Sequence, residues 1–206
     1  HGIYASDLLG AGAGCAITLF IFDLRGCAGA IPICASLGAL SGACFALGWN
    51  RKAPGAALGI VAFIIFLIFL NPGFLQPRMS PFKDLMAALQ YPGARHIETR
   101  WNAYSRIDLV ESPAARFAPG MSLRFDGSMP SQIGMTTDGD HINAIILLKG
   151  KAEETDFIQW LPASLPFILN PPGSVLVIEP GGNLDFLIAM NYKAASITAT
   201  IQNPLI

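Results

Sequence analysis

A glycine-rich turn, Glu179-Pro180-Gly181-Gly182-Asn183, is the stretch best suited to hold a ligand. The apolar residues 174–178 before it predict a strand, residues 184–192 predict a helix, and residues 197–201 predict a second strand. Strand, glycine-rich turn, helix and strand in this order are typical of the start of a nucleotide-binding βαβ unit. Gly181, Gly182 and Asn183 are therefore candidate cofactor-binding residues.

Other reactive side chains give weaker signals. Asp138 and Asp140 flank a glycine in a pattern that is typical of a β-turn. His96 and His141 lie in or beside predicted strands without a companion nucleophile. The four cysteines form no CxxC pair and have no histidine nearby in sequence, so they predict neither a metal nor a haem site. The sequence therefore assigns no catalytic residue and no metal ligand.

Short elements must position these side chains. Ser80-Pro81 predicts the N-cap and first residue of a helix that ends near residue 90. Alternating runs separated by turn residues predict a small antiparallel β region, and residues 156–168 predict an amphipathic helix interrupted at Pro162. The predicted strands of that region are residues 94–98, 105–111, 121–125, 133–137 and 142–148.

The charge distribution divides the chain. Of its 206 residues, 52% are hydrophobic and only 13% are charged, whereas soluble domains average about 25% charged residues. Five charged residues lie in residues 1–77 and the other 22 of the 27 lie in residues 78–206. The first third therefore has a membrane composition and the remainder a water-soluble one. The formal net charge of −1 gives no support for a nucleic-acid partner.

Three apolar stretches, at about residues 8–23, 27–47 and 56–71, predict transmembrane helices in a lipid bilayer, and residues 1–77 are the predicted transmembrane region. Each stretch carries or borders two glycines four residues apart, which let helix backbones approach closely; the pairs are Gly10 and Gly14, Gly38 and Gly42, and Gly55 and Gly59. Three spans place the loop with Arg51 and Lys52 opposite residues 78–206. The positive-inside rule puts that loop in the cytoplasm, which predicts an extracytoplasmic soluble domain, for instance at a bacterial inner membrane.

Several motifs, spread in order over nearly the whole chain, resemble those of membrane-anchored spermidine synthase-like proteins, the polyamine aminopropyltransferase family. The matching stretches are YASDLLGA at 4–11, SPFKDL at 80–85, PGAR at 92–95, TRWN at 99–102, SRIDLVES at 105–112, TDGD at 137–140, GGNLD at 181–185 and NPLI at 203–206.

The resemblance implies three parts: a transmembrane region, a linker helix with a small β domain over residues 78–155, and the N-terminal part of a Rossmann-like, methyltransferase-type domain over residues 156–206. Enzymes of this family transfer an aminopropyl group from decarboxylated S-adenosylmethionine to putrescine. The resemblance places Asp138 and Asp140 in the hairpin near the polyamine pocket, and Asp185 at the ligand cleft. Each has a structural alternative, turn chemistry for the first two and stabilisation of the helix dipole for Asp185.

Departures from the family pattern weaken the enzymatic interpretation. The family's Gly-x-Gly-x-Gly turn has Glu179, Gly181 and Asn183 at its glycine positions here, and Glu179 adds a side chain where the turn is tight. Ile201 stands where the family carries an acidic residue that binds the ribose hydroxyls. The family's catalytic aspartate belongs to later strands, so we expect the chain to be a piece of a longer protein.

The sequence leaves two main functions open, and it gives less support to a third, a transporter fragment, because the span interiors contain no ionisable residues. The first is a non-catalytic membrane protein that keeps the fold as a scaffold or accessory subunit of a larger membrane complex, with no cofactor expected and other membrane proteins as partners. The second is an active membrane-anchored aminopropyltransferase that uses decarboxylated S-adenosylmethionine. Because the cofactor is made in the cytoplasm, the enzyme would need its soluble domain on that side.

Overall fold

The computed structural model describes residues 2–49, 52–70, 75, 78–150 and 152–206. Contacts divide the chain into two compact units. The helical unit comprises residues 1–78 and 101–104, and the mixed unit comprises residues 79–100 and 105–206.

Two apolar helices make up most of the helical unit. Helix α1, Gly2–Gly48, is two helical segments joined at Gly26, where φ is 63° and ψ is −165°. A side chain at Gly26 would also collide with the indole ring of Trp101, so glycine is required there both by its backbone angles and by the close contact. Among the described residues, α1 is the one helix long and apolar enough to cross a membrane.

Helix α2, Lys52–Leu70, packs along the second half of α1. Glycine permits this packing at two places, because Gly42 faces the Leu58 side chain and Gly55 faces Leu47. The other paired glycines of the three predicted spans, Gly10, Gly14, Gly38 and Gly59, have open space where a side chain would stand. Two predicted features lie outside the described residues: the helix-ending sequence Asn71-Pro72-Gly73 at the end of the third predicted span, and the loop residue Arg51.

The mixed unit contains an antiparallel sheet of four strands in the order β1-β2-β3-β4. The strands are β1 Arg95–Trp101, β2 Arg106–Glu111, β3 Ser131–Thr137 and β4 Asp140–Leu147. The central pair β2 and β3 is in register with Asp108 opposite Thr136. The predicted antiparallel β region is therefore present, with one strand fewer than expected.

The prediction of a strand at residues 121–125 is wrong. Backbone turns occupy this segment, in which the Met121 N–H donates to Ala118 and the Phe125 N–H donates to Ser122. Gly120, with φ at 70°, starts the turns, and the Ser122 hydroxyl accepts from the Arg124 N–H at 3.3 Å. The Met121 and Phe125 side chains pack on the buried cluster around Ile146 and Phe157, so their alternation reflects loop packing.

The predicted helix over residues 80–90 is shorter than expected. Helix α3 is Asp84–Ala88, and its N-cap is Lys83 rather than Ser80. The Asp140 carboxylate accepts from the Asp84 N–H at 3.5 Å, and Gly139 accepts from the Leu85 N–H at 2.9 Å. The helix start is therefore fixed by the turn between β3 and β4, which lies more than fifty residues further along the chain.

A second correction concerns residues 156–168. This segment is a 3-10 helix, Ala152–Trp160, followed by a 3-10 turn, Pro162–Ser164, and by helix α4, Leu165–Leu169. The interruption before Pro162 is as predicted, but the first part is not α-helical. It is anchored by Phe157 and Ile158, which are buried with Ile146 of β4.

The predicted strand, turn, helix and strand follow. Strand β5, Ser174–Ile178, pairs in parallel with β6, Ser196–Thr200, and helix α5, Leu184–Asn191, connects them. A continuous apolar run such as residues 174–178 predicts a strand buried on both faces, and this prediction is wrong for the described residues, since Leu176 is 60% exposed and Ile178 is 69% exposed. Helix α5 joins the core of the mixed unit through Ile188.

Candidate functional site

The glycine turn between β5 and α5 lies against strand β4. A side chain at Gly182 would collide with the backbone carbonyl of Ala144, and one at Gly181 would collide with the Asn143 side chain. Backbone cannot move aside as a flexible side chain can, so Gly182 is required for this contact. Packing against β4 therefore accounts for Gly182 without any ligand, whereas at Gly181 the contact is with a flexible side chain.

Asn183 fastens the same turn to β4. Its Oδ1 accepts from the Ile146 N–H at 2.7 Å, and its Nδ2 donates to the Ile146 carbonyl at 2.8 Å. Strand β4 is an edge strand, and such strands present unpaired backbone groups. The Asn183 amide satisfies one pair of them in the way a neighbouring strand would, and both of its polar atoms are then in use.

Glu179 lies directly after β5 in the left-handed backbone region, with φ at 50°. Its N–H donates to the Thr200 carbonyl at 3.0 Å, and its Oε1 accepts from the Gln202 N–H at 2.8 Å. The carboxylate therefore lies at the end of β6. Ile201, the first residue after β6, is 48% exposed and supplies no acceptor there.

Asp185 differs from its neighbours because no described residue pairs with its carboxylate. It is exposed in the first turn of α5, which favours a negative charge. It borders a cavity of about 250 Å³ beside Gly181 and Asn143, and another of about 220 Å³ along β5. A carboxylate in this position is able to accept hydrogen bonds from a small ligand or to face a cation.

Asp138 is the first residue of the two-residue turn between β3 and β4, and Asp140 is the first residue of β4. Asp138 and Gly139 have φ of 54° and 75°, as a type I′ hairpin turn requires. The Asp138 carboxylate accepts from the Arg106 N–H at 2.9 Å and so stabilises the start of β2. Its role in this structure is to join two strands.

The Asp140 carboxylate is held by helix α3. It forms an ion pair with Lys83 and accepts from the Asp84 N–H. The hydrogen bond from Lys83 is the main cause that lowers the pKa of Asp140. The structure does not bring Asp138 or Asp140 together with the glycine turn, and each carboxylate already has a protein partner.

A polar cluster that was not predicted from the sequence surrounds Asp108 and pairs its buried carboxylate with Arg106, Thr99 and His96. The Asp108 side chain is fully buried, with its oxygens 2.8 Å from Arg106 Nη2 and 2.7 Å from Arg106 Nε. The Thr99 hydroxyl donates to Asp108 Oδ1 at 2.6 Å, and His96 Nε2 lies 3.0 Å from the same oxygen. Burial alone would raise the pKa of Asp108, but these hydrogen bonds together lower it.

The geometry of this cluster does not suit nucleophilic catalysis. The Thr99 hydroxyl donates its hydrogen bond to Asp108. The same ring nitrogen of His96, Nε2, contacts both the hydroxyl and the carboxylate. A catalytic triad needs the base to contact the nucleophile through one ring nitrogen and the carboxylate through the other. Charge alternation in Arg106-Ile107-Asp108 is the only signal in the sequence that points to this pair.

In the described ranges, no three His, Cys, Asp or Glu side chains are grouped to hold a metal ion. The four cysteines, all in α1, are free thiols. Comparisons with models of known protein families, with curated proteins and with solved structures find no match for this chain.

Proposed function

We propose that residues 1–206 form a membrane-anchored, spermidine synthase-like scaffold that contributes to a larger membrane complex and does not itself catalyse aminopropyl transfer. The main support for this proposal is that the side-chain oxygen and nitrogen of Asn183 are both hydrogen-bonded to the backbone of Ile146 in β4. The candidate residue Asp140 is also occupied, by its ion pair with Lys83, and the Glu179 carboxylate accepts a hydrogen bond from the Gln202 N–H. A nucleoside entering this turn would have to displace contacts that stabilise the fold.

A binding titration tests this proposal. The full chain in neutral detergent is titrated by calorimetry with decarboxylated S-adenosylmethionine, beside a variant that carries Glu179→Gly and Ile201→Glu. The proposal expects no heat of binding for the wild-type chain at about millimolar ligand, which corresponds to about 4 kcal/mol of binding free energy. Saturable binding by the wild-type chain would reject the non-catalytic interpretation.

A second candidate function is an active aminopropyltransferase, and two observations favour it. The Glu179 carboxylate lies at the end of β6, close to where the family's ribose-binding acid is expected. Asp185 is free of protein partners in the described residues and borders two cavities. In this alternative, Glu179 holds the ribose hydroxyls and Asp185 faces the cationic part of the cofactor. Binding by the wild-type chain that Glu179→Gln abolishes would establish this alternative.

The membrane anchor is the second part of the proposal. We propose three transmembrane helices, formed by the two segments of α1 on either side of Gly26 and by α2. Their large apolar side chains are widely exposed, as lipid-facing residues are, for example Phe20 at 73% and Phe45 at 76%. The proposed arrangement is a Rossmann-like βαβ unit and a small β domain carried outside the cytoplasm.

Labelling of single cysteines tests the topology. With the four native cysteines replaced by serine, Lys52→Cys and Asp126→Cys are each treated with a membrane-impermeant maleimide in intact cells. We expect Asp126→Cys to react in intact cells and Lys52→Cys to react only after the membrane has been permeabilised. The reverse pattern would place the soluble domain in the cytoplasm, where the cofactor of the enzymatic alternative is made.

A further inference from the structure

One cavity lined by charged side chains lies away from the glycine turn. It has a volume of about 540 Å³, within the usual range of about 300–1,000 Å³ for small-molecule sites. It opens at the end of the four-stranded sheet that is opposite the β3–β4 turn. The start of β1, the end of β2, the start of β3 and the end of β4 meet there, and no lining residue is shared with the cavities at Asp185.

Two buried polar side chains hold one wall of this cleft in place. The Ser112 hydroxyl donates to the Pro92 carbonyl at 3.0 Å and accepts from the Ala114 N–H at 3.1 Å. The Gln132 amide accepts from the Phe117 N–H at 2.6 Å and donates to the Phe117 carbonyl at 3.1 Å. Arg116 stands between these two attachments, so its backbone is fixed although its side chain is exposed.

The cleft is lined by more positively charged side chains than negatively charged ones. Arg95 is paired with Glu111, with Nε and Nη2 at 2.8 Å and 2.5 Å from the same carboxylate oxygen. Arg116 also lines the cleft and pairs with no described residue. The lining therefore carries two positive charges and one negative charge. An arginine held on a fixed backbone, with free guanidinium donors, matches an oxyanion in geometry and charge.

The other lining residues suit a ligand with an organic part. Ser131 offers a hydroxyl, while Met129, Pro130 and Leu147 provide an apolar wall. From this combination we propose that the cleft binds a phosphate group that is esterified to a small organic moiety, with Arg116 as its principal contact and Arg95 as a second cation. The shared chemistry is the phosphate, carried either by a soluble ester or by a phospholipid headgroup.

Calorimetric titration of the full chain in neutral detergent tests the proposal. The probes are glycerol 3-phosphate, as the soluble ester, and a short-chain phosphatidylglycerol, as the lipid. Binding of the first identifies a soluble phosphate ester as the ligand, and binding of the second alone identifies a headgroup. Failure of both probes to bind at about 10 mM, which corresponds to less than about 3 kcal/mol, would overturn the proposal.

Variants separate the cleft from general charge attraction. Arg116→Gln is expected to weaken binding by about tenfold or more, because a charge-assisted hydrogen bond is lost. Arg124→Gln removes the same charge from an exposed position outside the cleft and is expected to leave the affinity unchanged. Equal losses in the two variants would overturn the proposal.

A gain of affinity provides the second test. Glu111→Gln releases Arg95 and removes the negative charge of the cleft, so binding is expected to tighten by a few-fold, roughly as one exposed ion pair would allow. Glu98→Gln is the matched control, because Glu98 is paired with Arg100 at 2.8 Å, has a similar exposure and does not line the cleft. Unchanged or weaker binding in Glu111→Gln would contradict the assignment.

Discussion

The Asp108 cluster and the glycine turn are both polar, but their side chains bond to different partners. At Asp108 a buried carboxylate is paired with Arg106, Thr99 and His96, so contacts between side chains hold this region together. At the glycine turn, Asn183 and Glu179 are bonded to backbone groups of β4 and of the chain after β6. The first region stabilises one sheet internally, whereas the second attaches the βαβ segment to its surroundings.

This difference shows that a sequence motif typical of ligand binding can serve to pack the fold. A Gly-Gly-Asn turn between a strand and a helix is typical of nucleotide binding, but here each of its residues has a packing reason. The Asp108 cluster belongs to no motif of this kind, yet it holds the most deeply buried charge of the mixed unit. The following variants test that contrast, beginning with the largest expected effect.

Asp108→Asn is expected to lower the free energy of unfolding by about 3–5 kcal/mol, because it removes a fully buried carboxylate that balances the charge of Arg106, whose side chain is only 20% exposed. Asp126→Asn, at an exposed position, is the control and is expected to change it by less than about 0.5 kcal/mol. Both are measured by chemical denaturation in detergent. A small effect at Asp108 would show that the cluster does not stabilise the sheet.

The same carboxylate predicts a pH dependence. Its pKa in the folded protein is lowered from the ordinary value of 3.8, so its stabilising contribution is present above that value. The contribution is lost as the pH falls from 3.8 through the lower pKa of the folded state. Acid denaturation profiles should therefore be shallower in Asp108→Asn than in wild type. Identical acid limbs would contradict the assignment.

Gly182→Ala is expected to cost about 3 kcal/mol or more, because the new methyl group would overlap the Ala144 carbonyl of β4. The control is Gly173→Ala, where no atom lies within 4 Å of the added carbon. Thermal unfolding followed by circular dichroism compares the two. Equal unfolding temperatures would mean that the turn does not pack closely on β4.

Asn183→Ala is expected to cost about 2 kcal/mol, the sum of two hydrogen bonds at about 1 kcal/mol each. Asn191→Ala removes an exposed amide from the end of α5 and serves as the matched control. Chemical denaturation of the two variants gives the difference. An equal cost at both positions would remove the argument that Asn183 fastens the turn to β4.

Glu179→Gly should have the smallest effect, within about 1 kcal/mol of wild type. Glycine relieves the left-handed backbone, which costs a residue with a side chain about 1–2 kcal/mol, but the hydrogen bond to the Gln202 N–H is lost. The two changes oppose each other. A large loss of stability would give Glu179 a structural role beyond these contacts, and the unfolding free energy measures it.

Local patterns in the sequence predicted much of the fold. Strand β5 has the predicted limits, α5 and β6 agree to within a residue at each end, and Asp138-Gly139 forms the predicted turn. These elements depend on apolar spacing and on turn residues, which are local. The start of α3 was predicted at the wrong residue because Asp140, which accepts from the Asp84 N–H, lies at the start of β4, far along the chain.

The candidate site was less predictable for the same reason. The contacts of Asn183 and Gly182 are made with β4, about forty residues earlier in the chain, and no local pattern reports them. The Asp108 cluster draws on β1 and β2 together, so its charges look like ordinary strand residues in the sequence. Residue type identified the polar groups, but tertiary contacts determine which remain free to bind.

Amide hydrogen exchange at Ile146 and Gln202 tests most directly whether the glycine turn is committed to packing. The Ile146 N–H donates to Asn183 and the Gln202 N–H donates to Glu179. We predict that both amides exchange slowly and that decarboxylated S-adenosylmethionine does not change their rates, while Asn183→Ala and Glu179→Gly accelerate one amide each. Fast exchange in the wild-type chain that becomes slow only when the ligand is added would contradict the account.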